Sequence, residues 1–305
     1  MRILFLTHGF NSLSQRLYIE LTQAGHEVSI EFDISDAVTE EAVALYRPEL
    51  IIAPFLKRAI PAAVWRNHIC LVVHPGIKGD RGPAALDWAI IDGEKEWGVT
   101  VLQAGAEMDA GDIWAEARFT MRQAKKSSLY RFEVTEAATQ AVMEAVAKFA
   151  RGGYVPEPLD YADPSVRGRL RPAMRRHDRA IRWAKDDTVT VLRKIHAADG
   201  FPGVLDTLCG EPVYLFDAHP EPALRGVPGE LIGRCNGAVC RATVDGAVWI
   251  GHLKPDLSSF KLPATRMLAG KLDNIPAIEN GWQDIRYEEK NQVGYLSFDF
   301  YNGAM

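Results

Sequence analysis

Over roughly its first 120 residues the chain alternates short apolar runs with helical stretches, a pattern that few folds accommodate. RILFLT (residues 2–7) has the texture of a buried strand. Helical spacing follows from Ser14 to Leu21, with Asn11 or Ser12 available as N-cap, and Gly25 stops it before HEVSIEF (26–32) begins a second strand. PELIIAPF (48–55), HICLVV (68–73) and WGVTVLQA (97–104) continue the series. The expectation is an α/β fold, a Rossmann-like domain with a mainly parallel sheet. Such sheets bind ligands beyond the carboxyl ends of their strands. His74 directly follows one of these strands, so its place suits chemistry before any motif is consulted.

The 305 residues are 47% hydrophobic and 25% charged, enough for one large domain or two modest ones. A net charge of -5 implies no global attraction to nucleic acid or to an anionic membrane surface. The opening MRILFLTHGFN lacks a cleavage pattern, and no segment approaches the roughly 20 apolar residues of a membrane helix. A cytoplasmic protein with no membrane association is expected. Four cysteines (Cys70, Cys209, Cys235, Cys240) are unevenly spaced and read as reduced thiols, with no metal assigned.

LYRFEVTEAATQAVMEAVAKFAR reads as a long amphipathic helix closed by Gly152 and Gly153, ending a first domain over residues 1–153. A Pro- and Arg-rich linker (154–186) follows. A helix around Asp187 to Ala198 then leads to short strand candidates, EPVYLFDA, GELIGRC, AVCRATV and AVWIGHL, expected to form a small OB-like β-barrel domain over 187–270. The aromatic tail QVGYLSFDFYNGAM reads as a strand without a partner, so 271–305 is expected to be a linker and the first strand of a truncated further domain.

The densest signal is LVVHPGIKGDRGPAALDWAIIDGEKEWGVTVLQAGAEMDAGDIW. It places His74 after a strand, then a Gly/Pro loop with Lys78 and Arg81, a helix, and a strand expected to run up to Asp109-Ala110-Gly111. Such a loop lets backbone amides approach a ligand, and a carboxylate can orient the imidazole. Structural roles stand beside these: a strand-end histidine can be purely structural, and an aspartate can simply cap its own turn.

The string resembles the folate-dependent formyltransferase family through His74-Pro75, Arg81-Gly82, Trp88-Ala89-Ile90, Gly98-Val99-Thr100 and Asp109-Ala110-Gly111. The resemblance implies His74 and Asp109 as the catalytic pair, with Arg81, Gly82 and Asp109 at the folate, and 10-formyltetrahydrofolate/tetrahydrofolate as the one-carbon carrier. It extends through AIRWAKDDTVTVLRKIHAADGFPGVLDTLCGEPVYLFDAH, which looks like the carboxyl-terminal domain of methionyl-tRNA formyltransferases. The family's asparagine two residues before the histidine is here Val72, which removes an oxyanion donor usually worth about 10²–10³ in rate.

The formyl acceptor is open at this point. Seven arginines between Arg167 and Arg182 could grip tRNA phosphates or be a solvated linker. Thr7-His8-Gly9-Phe10-Asn11-Ser12 departs from the loop of the tRNA enzymes, so tRNA is not the expected partner. HPGIKGDRGP and SFDFYNGAM resemble more closely the hydrogenase maturation factors in which a formyltransferase half precedes an enoyl-CoA hydratase-like half. That resemblance implies coenzyme A as acceptor, formyl-CoA as a carbon monoxide precursor for nickel-iron hydrogenase, and hydrogenase maturation proteins as partners. A thiol acceptor would tolerate Val72, because a thiolate forms readily and attacks well. Gln15 and Arg131 are the candidates for holding coenzyme A, with surface solvation as the alternative for each. A non-catalytic folate-binding scaffold is the remaining reading.

Overall fold

The computed structural model describes residues 1–256, 260–279 and 281, together with the strands Ile285–Lys290 and Val293–Phe298. It divides into two compact units, Met1–Ala173 and Met174–Met305.

The first unit begins with β1 (Arg2–Thr7), α1 (Ser12–Gln23), β2 (Glu27–Phe32), α2 (Asp36–Tyr46), β3 (Leu50–Ala53), α3 (Ala62–Trp65) and β4 (Cys70–His74). Of the two sequence candidates, Asn11 is the N-cap of α1, its Oδ1 accepting from the Ser14 amide at 3.0 Å. Parallel ladders join β1 to β2 and β3, and β3 to β4. Apolar runs bury on both faces of such strands, and Ile3, Leu4, Phe5 and Leu6 are at most 1% exposed.

Beyond α4 (Ala85–Asp92) the direction changes. β5 (Glu96–Gln103) pairs antiparallel with β4, and β6 (Ile113–Thr120) antiparallel with β5, so the six-stranded sheet of order β2-β1-β3-β4-β5-β6 is mixed, with its parallel part at β2 to β4. The strand expected to run to Asp109 stops at Gln103, and Asp109 lies in the turn before β6, a strand whose mixed polarity hid it.

The long helix is also interrupted. A short α5 (Lys126–Leu129) passes into a π-helical turn, Tyr130–Val134, before α6 (Thr135–Arg151). Residues 154–173 of the Pro/Arg-rich stretch belong to the first unit, where Gly168 N donates to Lys78 O and Arg171 N to Arg81 O.

In the second unit α7 (Thr188–Ala198) starts on an Asp187 cap. Five antiparallel strands follow, β7 (Val204–Leu208), β8 (Glu211–Glu221), β9 (Leu231–Cys235), β10 (Ala238–Ala242) and β11 (Ala247–Pro255), in the order β7-β8-β11-β10-β9. Val191, Ile195, Val213, Leu215, Val239, Val248 and Ile250 form their shared core. The short β12 (Leu262–Pro263) adds to β11, and α8 (Ala264–Met267) follows. β13 (Ile285–Lys290) pairs antiparallel with β14 (Val293–Phe298), so the tail strand expected to be unpaired has a neighbour; residues 299–305 lie outside the described part. Among the described residues no helix is long and apolar enough to cross a membrane.

Candidate active site

His74 ends β4 with its side chain 5% exposed, paired in register with Thr100 of β5. Its two nitrogens meet two carboxylates. Nδ1 faces Asp109 Oδ1 at 3.7 Å, beyond hydrogen-bond reach, while Nε2 lies 3.1 Å from Asp80 Oδ1.

Asp109 reaches this place through a left-handed backbone, φ 55°, which aspartate tolerates better than most residues. Its Oδ2 accepts the Gly82 amide at 3.1 Å, from a distant loop. The aspartate therefore does more than cap its own turn. Gly82 has φ 109°, and a Cβ there would stand 2.1 Å from Arg171 O, so only glycine fits. Arg81 binds the same turn with its side chain, Nε donating to Met108 O at 3.2 Å and Nη2 pairing with Glu107 at 2.9 Å. His74, Arg81, Gly82 and Asp109 are thus brought together, with Arg81 bracing the turn that carries Asp109.

Asp80 and Arg171 were not singled out from sequence. Asp80 is fully buried, its Oδ2 facing Arg171 Nε at 3.4 Å without hydrogen-bond geometry. Arg171 is 7% exposed, pairs through Nη1 with Asp92 at 2.6 Å and lies over the Trp97 ring. The loop around them is held at several points. Thr100 Oγ1 donates to Gly76 O at 2.9 Å, Trp97 Nε1 to Pro75 O at 3.0 Å, and Tyr161 OH to Gly79 O at 2.9 Å. The hydrogen bond from Lys78 to Glu157 holds the ammonium above its ordinary range, so Lys78 stays charged and is no proton acceptor near neutral pH.

The arginine run is not a solvated linker throughout. Arg171 and Arg179 are buried, and Arg182 pairs with Asp186. At the family asparagine's position, Val72 packs against an apolar cluster that includes Leu4, Leu6, Ile51 and Cys70.

Gln15 and Arg131 belong to a different neighbourhood. Gln15 is exposed in the first turn of α1, its amide donating to Phe10 O at 2.9 Å. Arg131 is exposed on the π turn, a feature that often marks functional positions. Asn11 Nδ2 donates to Tyr130 OH at 3.2 Å and joins the two segments. Burial pushes the Tyr130 phenol up to about 12, so it remains protonated. None of the four cysteines is disulfide-bonded, and no group of metal-binding side chains is found among the described residues.

A histidine at a strand end, a carboxylate turned toward it and a glycine-lined loop on a mixed α/β sheet make an arrangement that can support proton transfer during group transfer. Models of the formyl transferase family match residues 32–146, and models of its C-terminal domain match residues 173–271, together more than half of the sequence; the chain belongs to the formyltransferase family. It is 56% identical over 307 residues to the hydrogenase maturation factor HoxX of Bradyrhizobium diazoefficiens, covering 100% of this chain and 54% of that protein. The crystal structure of HypX from Aquifex aeolicus in complex with tetrahydrofolic acid superposes with a TM-score of 0.91 at 48% identity, over 100% of this chain and 55% of that one. The chain thus spans about half the length of these relatives. A methionyl-tRNA formyltransferase from Clostridium thermocellum shares the fold alone, with a TM-score of 0.59 at 17% identity over 73% of this chain and 95% of that one.

Proposed function

We propose that the chain transfers the formyl group of 10-formyltetrahydrofolate to the thiol of coenzyme A. The observation that carries this reading is that His74 Nδ1 stands 3.7 Å from Asp109 Oδ1, outside hydrogen-bond reach, which keeps a base free for a proton next to a carboxylate that can stabilise the imidazolium. The tetrahydrofolate complex of the Aquifex aeolicus relative supports a folate donor here, with Arg81, Gly82 and Asp109 forming its edge of the site.

The acceptor follows from Val72. An apolar side chain offers no hydrogen bond to a developing oxyanion, and a thiol asks for less activation than an amine. His74 takes the thiol proton on Nδ1, and the imidazolium so formed lies beside the negative charge that builds on the formyl oxygen. Bound 10-formyltetrahydrofolate supplies an electrophilic carbon and, once the sulfur–carbon bond has formed, a leaving N10 as the carbon–N10 bond breaks. His74 then returns its proton to N10, and the Asp109 charge steadies the imidazolium between the two transfers. Gln15 and Arg131 hold the polar and phosphate parts of coenzyme A.

In this reading formyl-CoA is the precursor of the carbon monoxide ligand of nickel-iron hydrogenase, released by an enoyl-CoA hydratase-like domain working with this one, and hydrogenase maturation proteins are the partners. The test is a turnover assay with 10-formyltetrahydrofolate and coenzyme A, following tetrahydrofolate and formyl-CoA together. Formation of both in equal amounts supports the proposal, and formylation of methionylated tRNA in place of coenzyme A overturns it.

A further inference from the structure

The carboxylate on the far side of His74 sets how the histidine works. An ionised carboxylate accepts hydrogen bonds and donates none, so the imidazole nitrogen that meets Asp80 Oδ1 at 3.1 Å carries a proton. The neutral ring has only one, which leaves Nδ1 with its lone pair on the side of Asp109 and without a hydrogen bond to it. We infer that Asp80 is a positioning residue that holds His74 as the Nε2–H tautomer, making Nδ1 the nitrogen that accepts and returns the proton.

The surroundings are shaped for this pair. Arg171, with Asp92 and Trp97 behind it, brings a positive charge to the other oxygen of Asp80. A buried carboxylate needs such compensation. Two glycines make room. A Cβ on Gly76 would lie 2.5 Å from His74 Nε2 and 2.8 Å from Asp80 Oδ1, and one on Gly168 would lie 1.9 Å from the Asp80 amide nitrogen. The groups around the ring are therefore Asp80 on one nitrogen, Asp109 on the other, and Arg171 and Asp92 behind Asp80. The direct geometry also differs in strength: Asp80 makes the hydrogen bond, while Asp109 stands off.

This inference rests on the formyl-transfer reading for its kinetic consequence but not for the tautomer. Long-range proton–nitrogen correlation spectra of the ¹⁵N-histidine-labelled protein, with His74→Gln to assign the signal, read the tautomer directly. The expected result is an Nε2–H ring in the wild type. An Nδ1–H ring overturns the inference. Asp80→Asn keeps the shape but can donate to Nε2, and it is expected to lower kcat by about 10²–10⁴-fold and alter its pH profile, with KM within about threefold. Wild-type kcat and pH profile in a folded Asp80→Asn protein overturn the role. Should the wild type fail to formylate coenzyme A, the acceptor assignment falls, while the spectrum still decides the tautomer. Should Asp80→Asn fail to fold, the wild-type spectrum and Arg171→Lys kinetics decide, a wild-type pH profile and turnover in the latter counting against the inference.

Discussion

Gly82 donates its backbone amide to Asp109 Oδ2 at 3.1 Å, which fastens the loop after β4 to the turn before β6. Each end of this bond has a positive φ, 109° at Gly82 and 55° at Asp109, so the contact depends on two backbone conformations that most residues avoid. The same bond leaves Asp109 Oδ1 directed at His74.

Gly82→Ala is accordingly expected to be damaging beyond the loss of one hydrogen bond. The added Cβ would meet Arg171 O at 2.1 Å and strain the backbone, for a cost of about 2 kcal/mol. Denaturant unfolding measures this cost, and turnover should fall with it because the Asp109 turn loses its anchor.

Asp109→Asn tests the carboxylate itself. Its amide can occupy the same space without the charge that steadies an imidazolium, so kcat should fall by about 10²–10⁴-fold. Folate affinity, measured by fluorescence titration, should fall much less. Equal losses in both would place Asp109 in binding alone.

The thiols should react in an order set by burial. Cys70 and Cys240 are 0% exposed and their thiols are pushed up to about 12 by burial, whereas Cys209 is exposed. With a disulfide reagent at pH 8, Cys209 should be modified first, and Cys70 and Cys240 only as the protein unfolds. Mass spectrometry of peptides from timed samples identifies the order.

Acid should weaken the second unit through Asp186. Burial raises its pKa, but the Arg182 amide, the Lys194 ammonium at 2.5 Å and the Arg182 charge outweigh that and hold it below its ordinary 3.8. The folded state then binds fewer protons than the unfolded one across this window. Its stabilisation is complete above the ordinary value and is lost as pH falls through the folded one. Asp186→Asn should cost about 3 kcal/mol near neutral pH, because Lys194 is left buried without its charge partner, and the difference from wild type should shrink below pH 3.8. Thermal unfolding across pH measures both.

Elements written in local patterns were legible without the structure. The apolar run Ile3–Leu6, the helix after Asn11, the α7 helix after Asp187 and the strand-end position of His74 follow from periodicity, capping and turn chemistry, which act within a few residues. The resemblance through His74, Arg81-Gly82 and Asp109 likewise lies in contiguous words of the chain. The reversal at β5, the strand β6 and the π turn that holds Arg131 are not local in this sense, because each is selected by what the segment packs against.

What sequence determined by itself is the family, the α/β order and the place of His74 at a strand end. Only the tertiary structure decided that Asp80 meets Nε2, that Arg171 leaves an apparent linker to neutralise Asp80, and that Val72 joins an apolar cluster. The physical reason is that a buried charge gains its meaning from a partner brought near by folding, and spacing along a chain carries no record of that partner.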